Sequence, residues 1–173
     1  MNMELRSKKI VFADLDGTLI QTLEGNPFPK GVWDVKLRLE VFDKLFNLFP
    51  NVTHFFVVTN QGGIEKGSVN ADSFEKKFEW VLKCVSDWMD NKKLIVAGAV
   101  CPVNDGTYYR RKPNTGMLTD LIEHFFKDGK PGKQEMVMIG DASGKEGDFS
   151  DSDKRTAENM GIDYIDVEEL LKM

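Results

Sequence analysis

The stretch Lys9-Ile-Val-Phe-Ala-Asp-Leu-Asp-Gly-Thr18 decides the fold. Its apolar, β-branched run is too short for a helix and has the composition of a strand buried on both faces of a parallel sheet. The run ends in two carboxylates, Asp14 and Asp16, then a Gly that permits a tight turn and a Thr that can cap it. Four further runs of the same kind occur at His54–Thr59, Leu94–Val100, Glu135–Ile139 and, more weakly, Ile162–Ile165. Between them apolar residues recur at helical spacing over Val35–Phe49, Ser73–Met89 and Thr115–Phe126. A shorter helix from about Asp151 to Met160 is stopped by Gly161 in a left-handed cap. Strands alternating with helices predict one doubly wound α/β domain over residues 1–173, with a mostly parallel sheet and helices on both faces. Leu19–Val32 remains as a short flap, with no length left for a separate cap domain.

The 173 residues carry a net charge of −5 and are 41% hydrophobic, which suits a globular domain and excludes a long disordered chain. No apolar run approaches the roughly 20 residues that cross a bilayer, and Met1–Lys9 has no signal-peptide apolar region. An intracellular, cytoplasmic protein away from membranes is expected. Cys84, Cys101, His54 and His124 fit no metal spacing, so zinc chemistry and a disulfide framework are set aside and both histidines are read as structural. The acidity is concentrated at one end: residues 141–173 hold 10 acidic and 4 basic side chains.

Ligands of open α/β sheets bind beyond the carboxyl ends of the strands, so the residues there carry the chemistry. The first strand delivers Asp14 and Asp16, and the second ends in Thr59-Asn60-Gln61-Gly62-Gly63. After the third comes Tyr108-Tyr-Arg-Arg-Lys-Pro113, with Lys112 just before a helix. The fourth runs into Gly140-Asp141 and then Glu146, Asp148, Asp151 and Asp153. Singly, each is an ordinary turn, cap or solvated charge. Together they place carboxylate, hydroxyl, ammonium and carboxylate at four successive strand ends, which suits phosphoryl transfer to water through a covalent intermediate. A carboxylate attacks phosphorus only when the phosphoryl charge is neutralised by a hard cation and fixed donors. Mg²⁺ fits, held by Asp14, Asp141 and the backbone carbonyl of Asp16. Thr59 and Lys112 are candidate phosphoryl ligands, with Asn60 and Arg111 beside them. Asp16 is placed to protonate the leaving oxygen and then deprotonate water. Asp148 and Asp153 are candidate supports of the metal site, with helix N-capping by Asp151 or Asp153 as the alternative.

Asp14-Leu-Asp-Gly-Thr-Leu, Thr59-Asn60, Lys112-Pro113 and Gly140-Asp141, in that order, resemble the four motifs of the haloacid dehalogenase superfamily of phosphohydrolases. The resemblance implies a Rossmann-like phosphatase in which Asp14 is the nucleophile, Asp16 the general acid/base, Thr59 and Lys112 phosphoryl ligands and Asp141 a Mg²⁺ ligand. The connecting segments Gly25–Asp34, Thr59–Gly67, Tyr109–Met117 and Gly140–Asp153 are similar to the 3′-phosphatase domain of polynucleotide kinase/phosphatase. That likeness implies removal of a 3′-phosphate from a nucleic-acid end. Capless members of the superfamily tend to act on bulky or polymeric substrates, which points the same way.

Two departures matter. The segment between Lys145 and Asp148 lacks a longer basic insertion often found there, and no Gly-x-x-x-x-Gly-Lys-Ser/Thr occurs, so no 5′-kinase activity is expected. The basic residues available for a polyanion are Arg110, Arg111, Lys112, Lys66 and the loop Lys127–Lys133. Two other readings stand beside this one. The first is a small-molecule phosphatase of the histidinol-phosphate or heptose-bisphosphate type; the latter enzymes usually carry a Cys/His zinc loop, of which only Cys101 is present here. The second is a receiver-like phospho-acceptor domain, which needs an Asp where this chain has Val100-Cys101-Pro102. A monomer is expected, and the sequence names no protein partner.

Overall fold

The computed structural model describes residues 3–26, 29–88 and 93–173. In chain order the elements are α1 (Met3–Arg6), β1 (Ile10–Ala13), β2 (Ile20–Gln21), β3 (Lys36–Leu37), α2 (Leu39–Leu48), β4 (His54–Asn60), α3 (Gly62–Glu65) and α4 (Ala71–Trp88). They continue with β5 (Ile95–Cys101), α5 (Gly116–Phe125), β6 (Met136–Gly140), α6 (Ser152–Met160), β7 (Asp163–Asp166) and α7 (Val167–Lys172).

Five strands form one parallel sheet in the order β5-β4-β1-β6-β7, the doubly wound arrangement expected from the alternation. The burial pattern explains why β1 is apolar without alternation. Val11 and Ala13 face a core shared with α2, α4 and α7, whereas Ile10 and Phe12 face a second core shared with α5 and α6. All four are essentially inaccessible to solvent. Both neighbours of β1 run in register with it, Ile10 opposite His54 and Met136, Ala13 opposite Val57 and Ile139. The residue after β1, Asp14, is thus delivered to the middle of the carboxyl edge, and its N–H donates to the Ile139 carbonyl at 3.0 Å. His54 packs its ring against Phe126 at a centroid distance of 4.4 Å, at the opposite edge.

Two details depart from the sequence reading, and two expectations fall on residues that are not described. The helix expected over Val35–Phe49 begins at Leu39, because Lys36–Leu37 pairs antiparallel with Ile20–Gln21 and closes the flap as a small hairpin. The spacing could not separate the two, since Val35 and Leu37 pack on the same core as the helix. A last helix, α7, follows β7; six residues are too few for a helical period to register, but Asp166 caps it by accepting the Glu168 N–H at 2.9 Å. Met89, the expected end of the Ser73–Met89 helix, and residues 27–28 of the flap lie outside the described residues. Among the described residues no helix is long and apolar enough to cross a membrane.

Candidate active site

The turn after β1 is built around one glycine and one arginine. Gly17 has φ +81°, and a Cβ there would lie 2.0 Å from Asp141 Oδ2, so only glycine allows both the left-handed turn and the approach of Asp141. Buried Arg38 ties the turn down, donating from Nη1 to the Gly17 carbonyl at 2.8 Å while Nη2 meets Glu168 of α7 at 2.9 Å and Nε meets Glu40 at 3.1 Å. Asp14 is thereby held with 7% of its surface exposed, while Asp16 projects outward.

Lys112 is the hub of the site. Its Nζ donates to Asp14 Oδ1 at 2.6 Å, Asp153 Oδ1 at 2.7 Å and the Val58 carbonyl at 3.0 Å, so all three donors are engaged. Asn60 fixes the backbone of Lys112: its Nδ2 donates to the Lys112 carbonyl and its Oδ1 accepts the Lys112 N–H, each at 3.0 Å. Asp153, in the first turn of α6, also accepts the Ala142 N–H at 3.2 Å. It stands against Gly140, where a Cβ would meet Asp153 Oδ2 at 2.3 Å.

Asp14, Asp141 and Asp153 bring one carboxylate oxygen each within 4.8 Å of one another. Three carboxylates face one ammonium, and the charge imbalance is visible in their acidities. Burial pushes Asp14 well above the usual carboxylate range, Lys112 opposes this, and Asp153 and Asp141 add to it. Asp141 is pushed up to about 6, by burial first and then by Asp153. For Lys112 burial disfavours the charge, but Asp14 and Asp153 outweigh it and hold the ammonium above the ordinary lysine range. A surplus of hard oxygen donors in a small space suits a divalent cation such as Mg²⁺, and the bare Gly17 makes room for Asp141 to join the set.

Asp16 Oδ2 accepts from Gln61 Nε2 at 2.7 Å, and the same nitrogen donates to Thr59 Oγ1 at 2.9 Å. Gln61 thus orients the exposed carboxylate and links it to the buried hydroxyl. Not every sequence candidate joins this constellation. The Asn60 side chain, read as a phosphoryl ligand, has its amide spent on positioning Lys112. Arg111, read likewise, donates from Nη1 to the Val103 carbonyl at 2.9 Å, and Arg110 pairs with Asp120 at 3.1 Å, so of the three adjacent cations Lys112 alone reaches the carboxylates. Asp148 accepts the N–H groups of Ser143 and Lys145 at 3.0 and 3.1 Å and shapes the loop after β6, whereas Asp153 enters the cluster itself. Asp151 occupies the N-cap position of α6 with no side-chain capping bond. The basic loop Lys127–Lys133 joins the end of α5 to the start of β6, at the edge of the sheet opposite these residues.

The profile of the polynucleotide kinase 3 phosphatase family matches residues 9–171. The chain belongs to this family. An uncharacterized 20.8 kDa protein of the FGF-VUBI intergenic region of Autographa californica nuclear polyhedrosis virus is 30% identical over 171 residues, covering 95% of this chain and 86% of the viral one. The bifunctional polynucleotide phosphatase/kinase of Schizosaccharomyces pombe is 29% identical over 160 residues, 92% of this chain and 36% of its own. The histidine biosynthesis bifunctional protein HisB of Legionella pneumophila strain Lens is 30% identical over 162 residues, 92% of this chain and 41% of its own. The chain therefore spans well under half the length of the two bifunctional relatives. A solved structure of D,D-heptose 1,7-bisphosphate phosphatase from B. bronchiseptica, complexed with magnesium and phosphate, superposes with a TM-score of 0.60 at 17% identity, covering 95% of this chain and 96% of that one. The family match makes the chain a member of a phosphatase family, and the superposition shows that it shares the fold of the heptose-bisphosphate enzyme.

Within this phosphatase family member, the residues that the sequence reading did not single out are those that position others. Gln61 stood inside the stretch following Thr59, but nothing in its spacing tied it to Asp16. Arg38 acts across the molecule, and its partners Gly17 and Glu168 lie 21 and 130 residues away. Ser143, Tyr164 and Asp166 form a similar long-range brace under the Asp141 loop: Tyr164 donates to the Gly140 carbonyl at 3.0 Å, and Ser143 is bonded to both Tyr164 and Asp166.

Proposed function

We propose that the protein is a Mg²⁺-dependent phosphomonoesterase that removes 3′-phosphates from nucleic-acid ends through an aspartyl-phosphate on Asp14. The convergence of Asp14, Asp141, Asp153 and Lys112 at one strand edge, with Asp16 exposed beside it, carries the chemistry. An Asp14 carboxylate oxygen attacks phosphorus, and the bond from phosphorus to the leaving oxygen breaks. Asp16, oriented by Gln61, gives that oxygen its proton. Asp16 then takes a proton from water, the water oxygen bonds to phosphorus, and the Asp14–phosphorus bond breaks to release inorganic phosphate. Lys112 holds Asp14 in place and opposes the rise in its acidity constant that burial causes. Asp14, Asp141, Asp153 and the Asp16 carbonyl are the groups available to hold Mg²⁺, which supplies neutralisation of the phosphoryl charge.

The family match over residues 9–171 supports the 3′-end substrate. The short insertion after β1 supports it too: among the described residues it forms the two-residue strands of the β2–β3 hairpin, and capless members of the superfamily tend to act on polymeric substrates. The similarity to HisB favours a second reading, a small-molecule phosphatase of the histidinol-phosphate or heptose-bisphosphate type. A steady-state comparison of a 3′-phosphorylated oligonucleotide with histidinol phosphate and heptose bisphosphate, all with Mg²⁺, decides between them. The oligonucleotide is expected to have the highest kcat/KM; a higher value for either small molecule overturns the substrate assignment.

The raised acidity constants of the cluster predict how pH and Mg²⁺ act on stability. Asp141 is held at about 6 in the fold against an ordinary value of 3.8, so between these pH values the folded chain keeps a proton that the unfolded chain has lost. The metal-free protein therefore loses stability as pH rises through that window. A cation competes with that proton, so its stabilising effect grows in the same direction. Thermal unfolding with and without millimolar Mg²⁺ is expected to show a larger rise in Tm at pH 7.5 than at pH 5. An equal rise at both pH values would mean that the cation sits elsewhere.

A further inference from the structure

Among the described residues four cationic side chains are buried: Lys8, Arg38, Lys77 and Lys112. Lys8 is paired with Asp163, Arg38 with Glu40 and Glu168, and Lys112 with Asp14 and Asp153. Lys77, with 4% of its surface exposed, has no carboxylate or hydrogen-bond partner among the described residues. Its Nζ rests 4.9 Å from the centroid of the Phe74 ring, one turn earlier in α4. The aliphatic stem is buried while the ammonium at its tip still reaches solvent, so it carries a charge at the surface with no carboxylate beside it.

Its place in the fold says where the missing anion comes from. Helix α4 follows β4 and packs on β5, so it runs back from the carboxyl edge of the sheet, and its first turns stand at that edge. Lys77 lies in the second turn, on the side that carries Phe74, Phe78 and Val81 into the core. Burial pulls its acidity constant down, and the charge of Asp16 opposes this. One turn further on, Trp80 meets Trp33 of the flap edge-on at 6.1 Å, and the two rings are 37% and 52% exposed. Along α4 the order is thus the reacting centre, a lysine ammonium, then a half-exposed aromatic pair.

We infer that Lys77 is the receptor for a second, non-reacting phosphate of the substrate, the phosphodiester next to a 3′-terminal phosphate, with Trp80 and Trp33 flanking the attached nucleotide. This rests on the 3′-end reading given above and deepens it. Aromatic faces stack bases without regard to sequence, and a phosphodiester provides the anion that Lys77 lacks. The reaction at Asp14 is not altered; the second phosphate adds binding energy away from the reacting atoms.

The test compares two substrates that differ by this group: a 3′-phosphorylated oligonucleotide and a nucleoside 3′-monophosphate, which has no phosphodiester. Lys77→Met keeps the side-chain length without the charge. It is expected to lower kcat/KM for the oligonucleotide at least 30-fold, mostly through KM, with a loss at least 10 times smaller for the nucleoside 3′-monophosphate. Lys77→Arg is expected to recover most of the oligonucleotide activity. Because no ion pair or hydrogen bond is broken, the Tm of Lys77→Met is expected to match that of wild type, which separates the effect from misfolding. Equal losses on both substrates, or no loss on the oligonucleotide, overturn the inference. If wild type itself shows no preference for the oligonucleotide over the monophosphate, the 3′-end reading fails. If wild type prefers the oligonucleotide and Lys77→Met keeps that preference, only the role of Lys77 fails.

Discussion

Asp14→Asn is expected to abolish turnover, by about 10⁴-fold or more, with no phosphoenzyme trapped and the fold retained. The amide has the shape of the carboxylate and keeps an oxygen for the Lys112 ammonium, now at 2.6 Å, so the packing at this buried position survives. It has no nucleophilic oxygen anion, so the covalent step is lost outright. Electrostatics predicts a second, opposite effect. The native site gathers three carboxylates within 4.8 Å, and replacing one by a neutral group relieves repulsion between Asp141 and Asp153 and their neighbour. Metal-free Asp14→Asn is therefore expected to be at least as stable as wild type while binding Mg²⁺ more weakly. Rapid acid quench with a radiolabelled phosphate ester, followed by denaturing gel, reads the phosphoenzyme, and thermal unfolding reads the stability. Turnover within about tenfold of wild type would remove Asp14 as the nucleophile.

Lys112→Met is expected to cost both activity and stability, in contrast to Lys77→Met. Removing one partner of a buried ion pair typically costs about 3–5 kcal/mol, because the remaining charge is left without compensation. Here two carboxylates, Asp14 and Asp153, lose their shared counter-ion at once. At about 2–4 °C per kcal/mol for a chain of this length, the fall in Tm is roughly 6–20 °C. The two stranded carboxyls can escape by taking up protons, so the deficit is expected to shrink as pH is lowered from 8 to 5. A deficit below about 1 kcal/mol at pH 8 would mean that Lys112 is not the counter-ion the geometry describes. Two buried lysine side chains thus differ in what their loss does to stability, since one has carboxylates to neutralise and the other does not.

The positions of Asp14, Asp16 and Asp141 were legible because each follows a strand, that of Thr59 because it lies at the end of one, and that of Lys112 because its loop leads from β5 into α5, and parallel strands end at one edge whatever the loops do. Asn60 and Arg111 were legible as neighbours of that edge but not in their direction: adjacent residues point different ways, and a sequence does not say which carbonyl a guanidinium will find. Asp153 is the reverse case. Read as one of several acids near a helix start, it is carried by the first turn of α6 to the centre of the cluster, 1% exposed and against the bare Gly140. Asp148, equally acidic and five residues earlier, turns to the loop backbone instead.

What the sequence by itself determined is the set of local patterns: strand runs apolar on both faces, helices at their own period, and an acid pair before a glycine turn. These depend on spacing along the chain, and so they fix the layer order and the edge that holds the chemistry. Only the tertiary structure decided which side chains meet. Arg38 reaches a carbonyl 21 residues back and a carboxylate 130 residues on, and Lys112 lies 98 residues from Asp14. It also decided that one largely buried lysine side chain, Lys77, has no ion-pair partner among the described residues. Partners of this kind are chosen by packing and by the cost of burying unpaired charge, quantities that exist only once the chain has closed on itself.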